Sequence, residues 1–297
     1  MVTLESLAAL DHLLWLRTGS RAAAVLSCNQ STVSRHAKSC EAIFGIALHK
    51  RRAEWRVMGD QGLLLAERRV HQLYRWQRGL PLRLEAQHWL SDHVEALDPR
   101  GWVQGNLNYL EYEQPLYLLK QRIIDAWLCS SPDQPRDPEL RGLQLCSMPP
   151  YLVVKRSHPL LRLPALSISD VRAYPLLPLP RNAFPVFQGM LDSLGLGAAV
   201  PAEGGLDQAG DQPVEDLMVG IASPLTLGLY GPDWVVLPLQ LPLQLPLRVG
   251  EVLMVRSEFA DHPRTRQLVA MLLQRLAVLS RGCADVELLQ PRMACSV

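Results

Sequence analysis

The chain has 297 residues, 48% of them hydrophobic and 20% charged, with a net charge of +1. That length admits two or three domains and a sizeable core, and the composition is that of an ordinary globular chain. No apolar run reaches the ~20 residues of a membrane helix, and no basic-then-apolar segment opens the sequence, so a cytoplasmic location is expected. The six cysteines (Cys28, Cys40, Cys129, Cys146, Cys283, Cys295) are scattered without a CxxC pair, which speaks for reduced thiols over a disulfide frame or a zinc site. The charge is uneven. Residues 1–80 hold 12 Lys/Arg against 6 Asp/Glu, or +6, and the rest holds 18 against 23, or −5. A basic quarter on an acidic body suggests a nucleic-acid-binding module attached to something else.

In chain order, residues 4–17 predict a first helix, with Leu4, Leu7, Leu10 and Leu14 on one side and Gly19 as its stop. Ser20 can cap a second, Arg21–Leu26, whose Ala22, Ala23 and Ala24 allow close helix approach. A turn at Ser27–Asn29 leads to a third helix with Asn29 as cap. Val33, Ala37, Cys40 and Phe44 recur at helical spacing and form its buried stripe. The opposite face holds Gln30, Ser31, Ser34, Arg35 and Lys38, with Thr32 beside them, and no acid. Such a face suits the major groove, which admits one helix and displays base-edge acceptors and phosphates. An ordinary amphipathic surface helix would carry the same pattern. Two short helices across a tight turn nevertheless form a helix-turn-helix.

After Gly45 come Lys50-Arg51-Arg52, then Glu54, Trp55 and Arg56, and the turn formers Gly59 and Asp60, which read as a two-stranded basic wing. From Gly62 a longer helix places Leu63, Ala66, Val70 and Leu73 on one seam, expected to be buried against a second copy of the chain. Gly79-Leu80-Pro81 ends it.

Beyond that boundary strands alternate with helices. Strands are expected at Leu82–Ala86, Asn106–Tyr112, Ile124–Cys129, Tyr151–Lys155, Tyr174–Leu179 and Glu251–Arg256. Helices are expected at Pro115–Arg122, Ser169–Ala173, Phe184–Leu194, Pro213–Val219 and Pro263–Leu279, with a small-residue turn at Gly220–Thr226. Alternation of this kind predicts parallel sheets with crossover helices. Leu237–Leu247 repeats LPLQ; proline at every fourth residue forbids a helix or a central strand, so an extended connection is expected. Residues 283–297 read as a loose tail.

The N-terminal quarter resembles the LysR-type transcriptional regulators. The resemblance rests on the alanines of the second helix, Leu26, Gln30, Ser31, Val33, Ser34, Arg35, Glu41, Gly45, Leu48, Arg51 and Gly62, in one register. Ala37, Cys40 and His49 depart from the family's usual residues, and the wing end is one residue longer. More weakly, Ile124-Asp125-Ala126-Trp127, the VVKRSHPL stretch of Val153–Leu160 and the loop Val219–Pro224 resemble the family's effector region. The resemblance implies α/β architecture: a winged helix-turn-helix (1–61), a dimerising linker helix (62–79) and a periplasmic-binding-protein-like effector domain (80–282). That domain would have two subdomains, 80–149 with 250–282, and 150–249, followed by the tail. Trp89–Gly105 is short for the first helix and second strand of the first subdomain.

No GxSxG, P-loop, GxGxxG or metal-spaced histidine pair occurs, so no enzyme, metal site or cofactor is expected. The expected function is a DNA-binding regulator acting as a dimer or tetramer on a partly palindromic operator. Gln30, Ser31, Thr32, Ser34 and Arg35 would lie in the groove, and Lys38, Lys50, Arg51, Arg52 and Arg56 on phosphate. Leu63, Ala66, Val70 and Leu73 would pair the chains. Ser91, Ser130, Ser131, Ser223 and Thr226 would line a cleft for a small-molecule effector, for instance a carboxylate, and RNA polymerase is a candidate partner. Two other readings remain open: a degenerate regulator without a ligand, and a redox sensor using a cysteine.

Overall fold

The computed structural model describes residues 2–51, 53–95, 97, 101–196, 214–238 and 247–291. Three helices begin it: α1 (Leu4–Leu16), α2 (Gly19–Val25) and α3 (Gln30–Phe44). The helix starts differ in detail from expectation. Arg17, in the left-handed conformation at φ 67°, closes α1, and Thr18 rather than Ser20 caps α2, its hydroxyl accepting from Arg21 N–H. Gly19 is therefore not a stop. It opens α2, where a Cβ would stand 2.9 Å from Gln30 Cγ, so glycine lets α3 cross closely. Asn29 occupies the cap position of α3 without a side-chain cap bond. Val33, Ala37 and Cys40 are buried beneath α1, as their spacing predicts.

The wing is the hairpin β1 (Ala47–Arg51) and β2 (Glu54–Met58), antiparallel with Lys50 opposite Trp55. It leads into α4 (Gly62–Gln77). Then follow β3 (Leu82–Ala86), α5 (Ser91–Glu95), β4 (Trp102–Gln104), α6 (Glu113–Lys120), β5 (Ala126–Ser131), β6 (Leu140–Gln144) and β7 (Cys146–Ser147). Five-residue α5 and three-residue β4 are the shortened first helix and second strand. The expected strand at Asn106–Tyr112 is absent apart from a bridge between Tyr109 and Gln87. Its residues are diverted by Leu107, at φ 50°, and by side-chain contacts to α1.

The remaining elements are β8 (Tyr151–Lys155), α7 (Ile168–Arg172), α8 (Pro185–Ser193), β9 (Gly220–Ala222), β10 (Trp234–Val236), β11 (Gly250–Arg256), α9 (Pro263–Leu279) and β12 (Glu287–Leu288). Gly220–Thr226 thus begins as a strand, and residues 214–217 form a 3-10 turn in place of a helix. Tyr174–Leu179 contributes a bridge, Leu176 to Val219. The tail is partly ordered, since β12 pairs with β7. Most of the LPLQ repeat lies outside the described residues, as do Arg52 and Cys295.

The larger sheet has the order β4-β3-β5-β11-β6. β4, β3 and β5 run parallel to one another; β11 opposes both β5 and β6, and the smaller sheet, β10-β8-β9, is wholly antiparallel. The all-parallel expectation fails because β11 returns from the second subdomain against the first, and because β9 and β10 reach β8 without a crossover helix. Alternation along β5 and β11 sends Ala126, Leu128, Leu253 and Val255 towards Leu268, Leu272 and Leu276 of α9. Their neighbours Trp127, Cys129, Val252 and Met254 join a different core that continues through Leu118 to Trp15 of α1 and Val33 of α3. The helix-turn-helix and the larger sheet therefore share one hydrophobic cluster. Among the described residues no helix is long and apolar enough to cross a membrane.

Candidate nucleic-acid interface and ligand cleft

The outer face of α3 is assembled by what its inner face is fixed to. His36 Nδ1 lies 2.7 Å from Ser6 Oγ, Cys40 Sγ donates to Ser6 carbonyl, and Glu41 accepts from Leu48 N–H at 2.8 Å. These bonds leave Gln30, Ser31, Ser34, Arg35 and Lys38 exposed together, while Thr32 is half-buried. Burial pushes the Cys40 thiol up to about 11 and Cys146 up to about 12, so neither is poised as a thiolate. Cys129 is pushed up in the same way.

The wing cations are not equivalent. Lys50 donates to Arg17 carbonyl at 3.0 Å and sits 5.2 Å above the Trp55 ring, whose indole N–H takes the same carbonyl. Arg56 lies 4.6 Å over Tyr117 of α6, which directs it towards the larger sheet rather than outward. Arg51 is exposed.

The long helix α4 turns its charged side inward. Arg68, His71, Gln72, Arg75 and Trp76 are buried, while Leu63 is 73% and Val70 61% exposed and Ala66 is exposed beside them. Leu73, the fourth seam position, is half-buried against the core around α9. Inside, Asp11 accepts from Arg68 Nε at 2.8 Å and Arg83 Nη1 at 3.1 Å. Asp125 accepts from Gln72 at 2.9 Å, Arg75 at 3.1 Å and Arg83 N–H at 3.0 Å. These guanidiniums overcome the burial of Asp11 and hold its carboxyl below the usual range. Nearby, Glu85 accepts from the Trp15 indole at 2.6 Å and Leu107 N–H at 2.8 Å. Burial outweighs those donors and raises Glu85 to about 7. Gly105 presses against this pair, and a Cβ there would collide with both.

Between the two sheets lies a cleft of about 250 Å³. Trp89 and Phe184, both in its lining, pack against each other with ring centroids 4.6 Å apart. Ser130 accepts from Trp89 Nε1, Ser131 accepts from Gln144, and Ser223 and Thr226 bond one another. Asp133 receives Val186 N–H and Phe187 N–H at the start of α8, tying the two subdomains, and burial raises its pKa.

The LysR substrate binding domain model matches residues 103–277, which include both sheets and the cleft. The chain belongs to the LysR family. A cysteine-to-aspartate variant of full-length OxyR from Pseudomonas aeruginosa is similar in fold, with a TM-score of 0.62 at 18% identity over 98% of this chain and 99% of that one. An OxyR cysteine mutant from Corynebacterium glutamicum gives 0.53 at 16% identity, covering 95% and 94%. A probable transcriptional regulator from Pseudomonas aeruginosa gives 0.52 at 15%, covering 91% and 96%. No curated protein matches the sequence significantly.

As a LysR-family regulator, the chain carries a winged helix-turn-helix, a linker helix and a two-subdomain effector domain. Four of the five expected cleft residues, Ser130, Ser131, Ser223 and Thr226, line the cavity. Ser91 does not; it starts α5 and is absent from the lining. The carboxylate expectation meets the wrong charge, because the described lining contains Asp133 and Glu251 and no Lys or Arg. The serine hydroxyls it relied on are engaged by protein donors and acceptors. Trp89, Phe184 and Asp133 were hidden in the sequence because nothing in their spacing marks residues that meet across two subdomains. Among the described residues no group of His, Cys, Asp or Glu is placed to hold a metal ion.

Proposed function

We propose that this LysR-family regulator binds double-stranded DNA through the outer face of α3. Arg35, Gln30, Ser31 and Ser34 read base edges, and Lys38, Arg51 and Arg52 contact phosphate. Lys50 reaches the backbone only from the flank of the wing, and Arg56 belongs to the contact with Tyr117. The observation that carries this reading is the acid-free set Gln30, Ser31, Ser34, Arg35 and Lys38, exposed together on a helix whose back is fixed to α1. Arg suits guanine O6 and N7, and Gln suits adenine N6 and N7.

The exposed Leu63, Ala66 and Val70 stripe pairs two chains along α4, so the operator is a partial palindrome. A small molecule in the cleft, resting against the contacting rings of Trp89 and Phe184, shifts the two subdomains against each other. Neither sensing nor DNA binding calls for a catalytic step. Selection of bound sequences from a random duplex pool tests the DNA reading. An enriched site with two-fold symmetry, lost on Arg35→Ala, supports it; enrichment unchanged by Arg35→Ala rejects the α3 assignment.

A further inference from the structure

Where α1, α2, α4 and β3 meet there is a second cavity, of about 230 Å³, apart from the cleft. Leu4, Val25 and Leu80 are exposed at its rim, so it opens to solvent. Its polar wall is formed by His12, His71, Arg75 and Arg83, with Asp11 among them. Three regions thus meet around one hollow: the helix-turn-helix, the linker helix and the first strand of the effector domain.

The charges here do not balance. Arg68, Arg75 and Arg83 share two carboxylates, Asp11 and Asp125. Glu67 faces His71 at 3.4 Å, and Glu258 is taken up by Arg122 and Arg256. Arg264 adds a further cation, its guanidinium donating to the carbonyls of Arg75, Leu80 and Gly101. Arg75, which lines the cavity, has only 11% of its side chain exposed, yet its Nε has no hydrogen-bond partner among the described residues; Arg68, fully buried and not part of the lining, leaves its Nη2 without one. A buried cation without a counter-charge is costly, and an anion placed beside it removes that cost. Consistently, burial and the adjacent Arg75 lower Arg83 to about 10, and burial together with Arg83 drives His12 down to about 3, keeping it neutral.

We propose that this junction cavity binds a small oxyanion, held by Arg75 and Arg83, whose presence fastens the DNA-binding domain to the effector domain. The ligand would touch α1, α4 and β3 at once, so it would stabilise the docked arrangement in which all three line the cavity. This inference stands apart from the effector cleft, with which it shares no lining residue.

The test uses the full chain and measures its thermal midpoint in phosphate, acetate and chloride at equal pH and ionic strength. A saturable rise in phosphate over chloride is expected for the wild type. A rise in acetate as well widens the ligand class to small carboxylates; a rise in phosphate alone narrows it to phosphate-like anions. Ala8→Phe, which fills the hollow from α1, should abolish the rise. Val25→Trp, at the exposed rim, blocks the mouth and serves if Ala8→Phe fails to fold. The double variant Arg35→Ala with Arg51→Ala should keep the rise, because it removes anion contacts only on the DNA face. Equal midpoints in phosphate and chloride, or a rise that survives the filled or blocked cavity, overturns the proposal.

Discussion

Helices α3 and α4 have the same kind of sequence, an apolar stripe opposite a polar face, and they sit in the molecule in opposite senses. In α3 the apolar Val33, Ala37 and Cys40 are buried and the polar face looks out. In α4 the polar Arg68, His71, Gln72 and Arg75 are buried and the apolar Leu63, Ala66 and Val70 look out. Periodicity defines faces but does not say which face the chain itself covers. The choice in α4 is made by Asp11 and Asp125, carboxylates 57 and 50 positions away from the arginines they hold. An inward polar face is tolerable only when its charges are paired, and an outward apolar one only when another surface covers it.

Removing the inward attraction should have the largest effect. Asp11→Ala leaves Arg68 and Arg83 buried without their shared partner and should cost about 3–5 kcal/mol, the usual range for breaking a buried pair. Urea unfolding measures it. A loss below about 1 kcal/mol, typical of an exposed pair, would mean that the inner face of α4 is held by packing alone.

The outward face is tested next. Leu63→Asp with Val70→Asp should dissociate the assembly while each chain keeps its fold, because both side chains are exposed in the single chain. Leu73→Asp should instead lower stability, since Leu73 packs on the core around α9. Sedimentation with unfolding separates these outcomes. An intact dimer in the double variant would show that the stripe is not the seam.

For α3, whose polar face is free, substitution should change binding and not folding. Arg35→Ala should cost about 1–3 kcal/mol on a specific site if it makes a bidentate contact to guanine. An equal loss on random DNA would reduce it to a phosphate contact. The smallest effect belongs to the wing: Arg51→Gln should flatten the log–log salt slope by roughly 0.9 per protomer and weaken all sequences alike. An unchanged slope would place Arg51 off the backbone.

Much of this was legible in the sequence. Local signals carried α3, the hairpin after Gly45, β8 and α9, because each depends on neighbouring residues and turn formers. The exposed, acid-free face of α3 followed from the spacing of Gln30, Ser31, Ser34, Arg35 and Lys38. What stayed hidden depends on pairs far apart in the chain. Glu85 reads as the polar half of an alternating strand, yet it is buried against Trp15, 70 positions earlier. Arg56 reads as one more wing cation until Tyr117 is found beneath it. Asn106–Tyr112 has strand composition, but Arg17 and Arg21 bind Asn108 and Asn106 and pull the segment out of the sheet.

The indole of Trp15 on the Glu85 carboxylate, with Gly105 pressed against both, has a geometric consequence. A reading head on a loose tether can search for its half-site, and operator spacing then constrains little. Here the head is bolted to the frame, because α1 and the larger sheet share a core. With two such chains paired along α4 as proposed, the distance and angle between their α3 helices would be set by the frames rather than by tether length. Such a pair would act as a calliper of fixed jaw, and adding half a helical turn of DNA between the half-sites, about 5 base pairs, should defeat it even with every base contact intact.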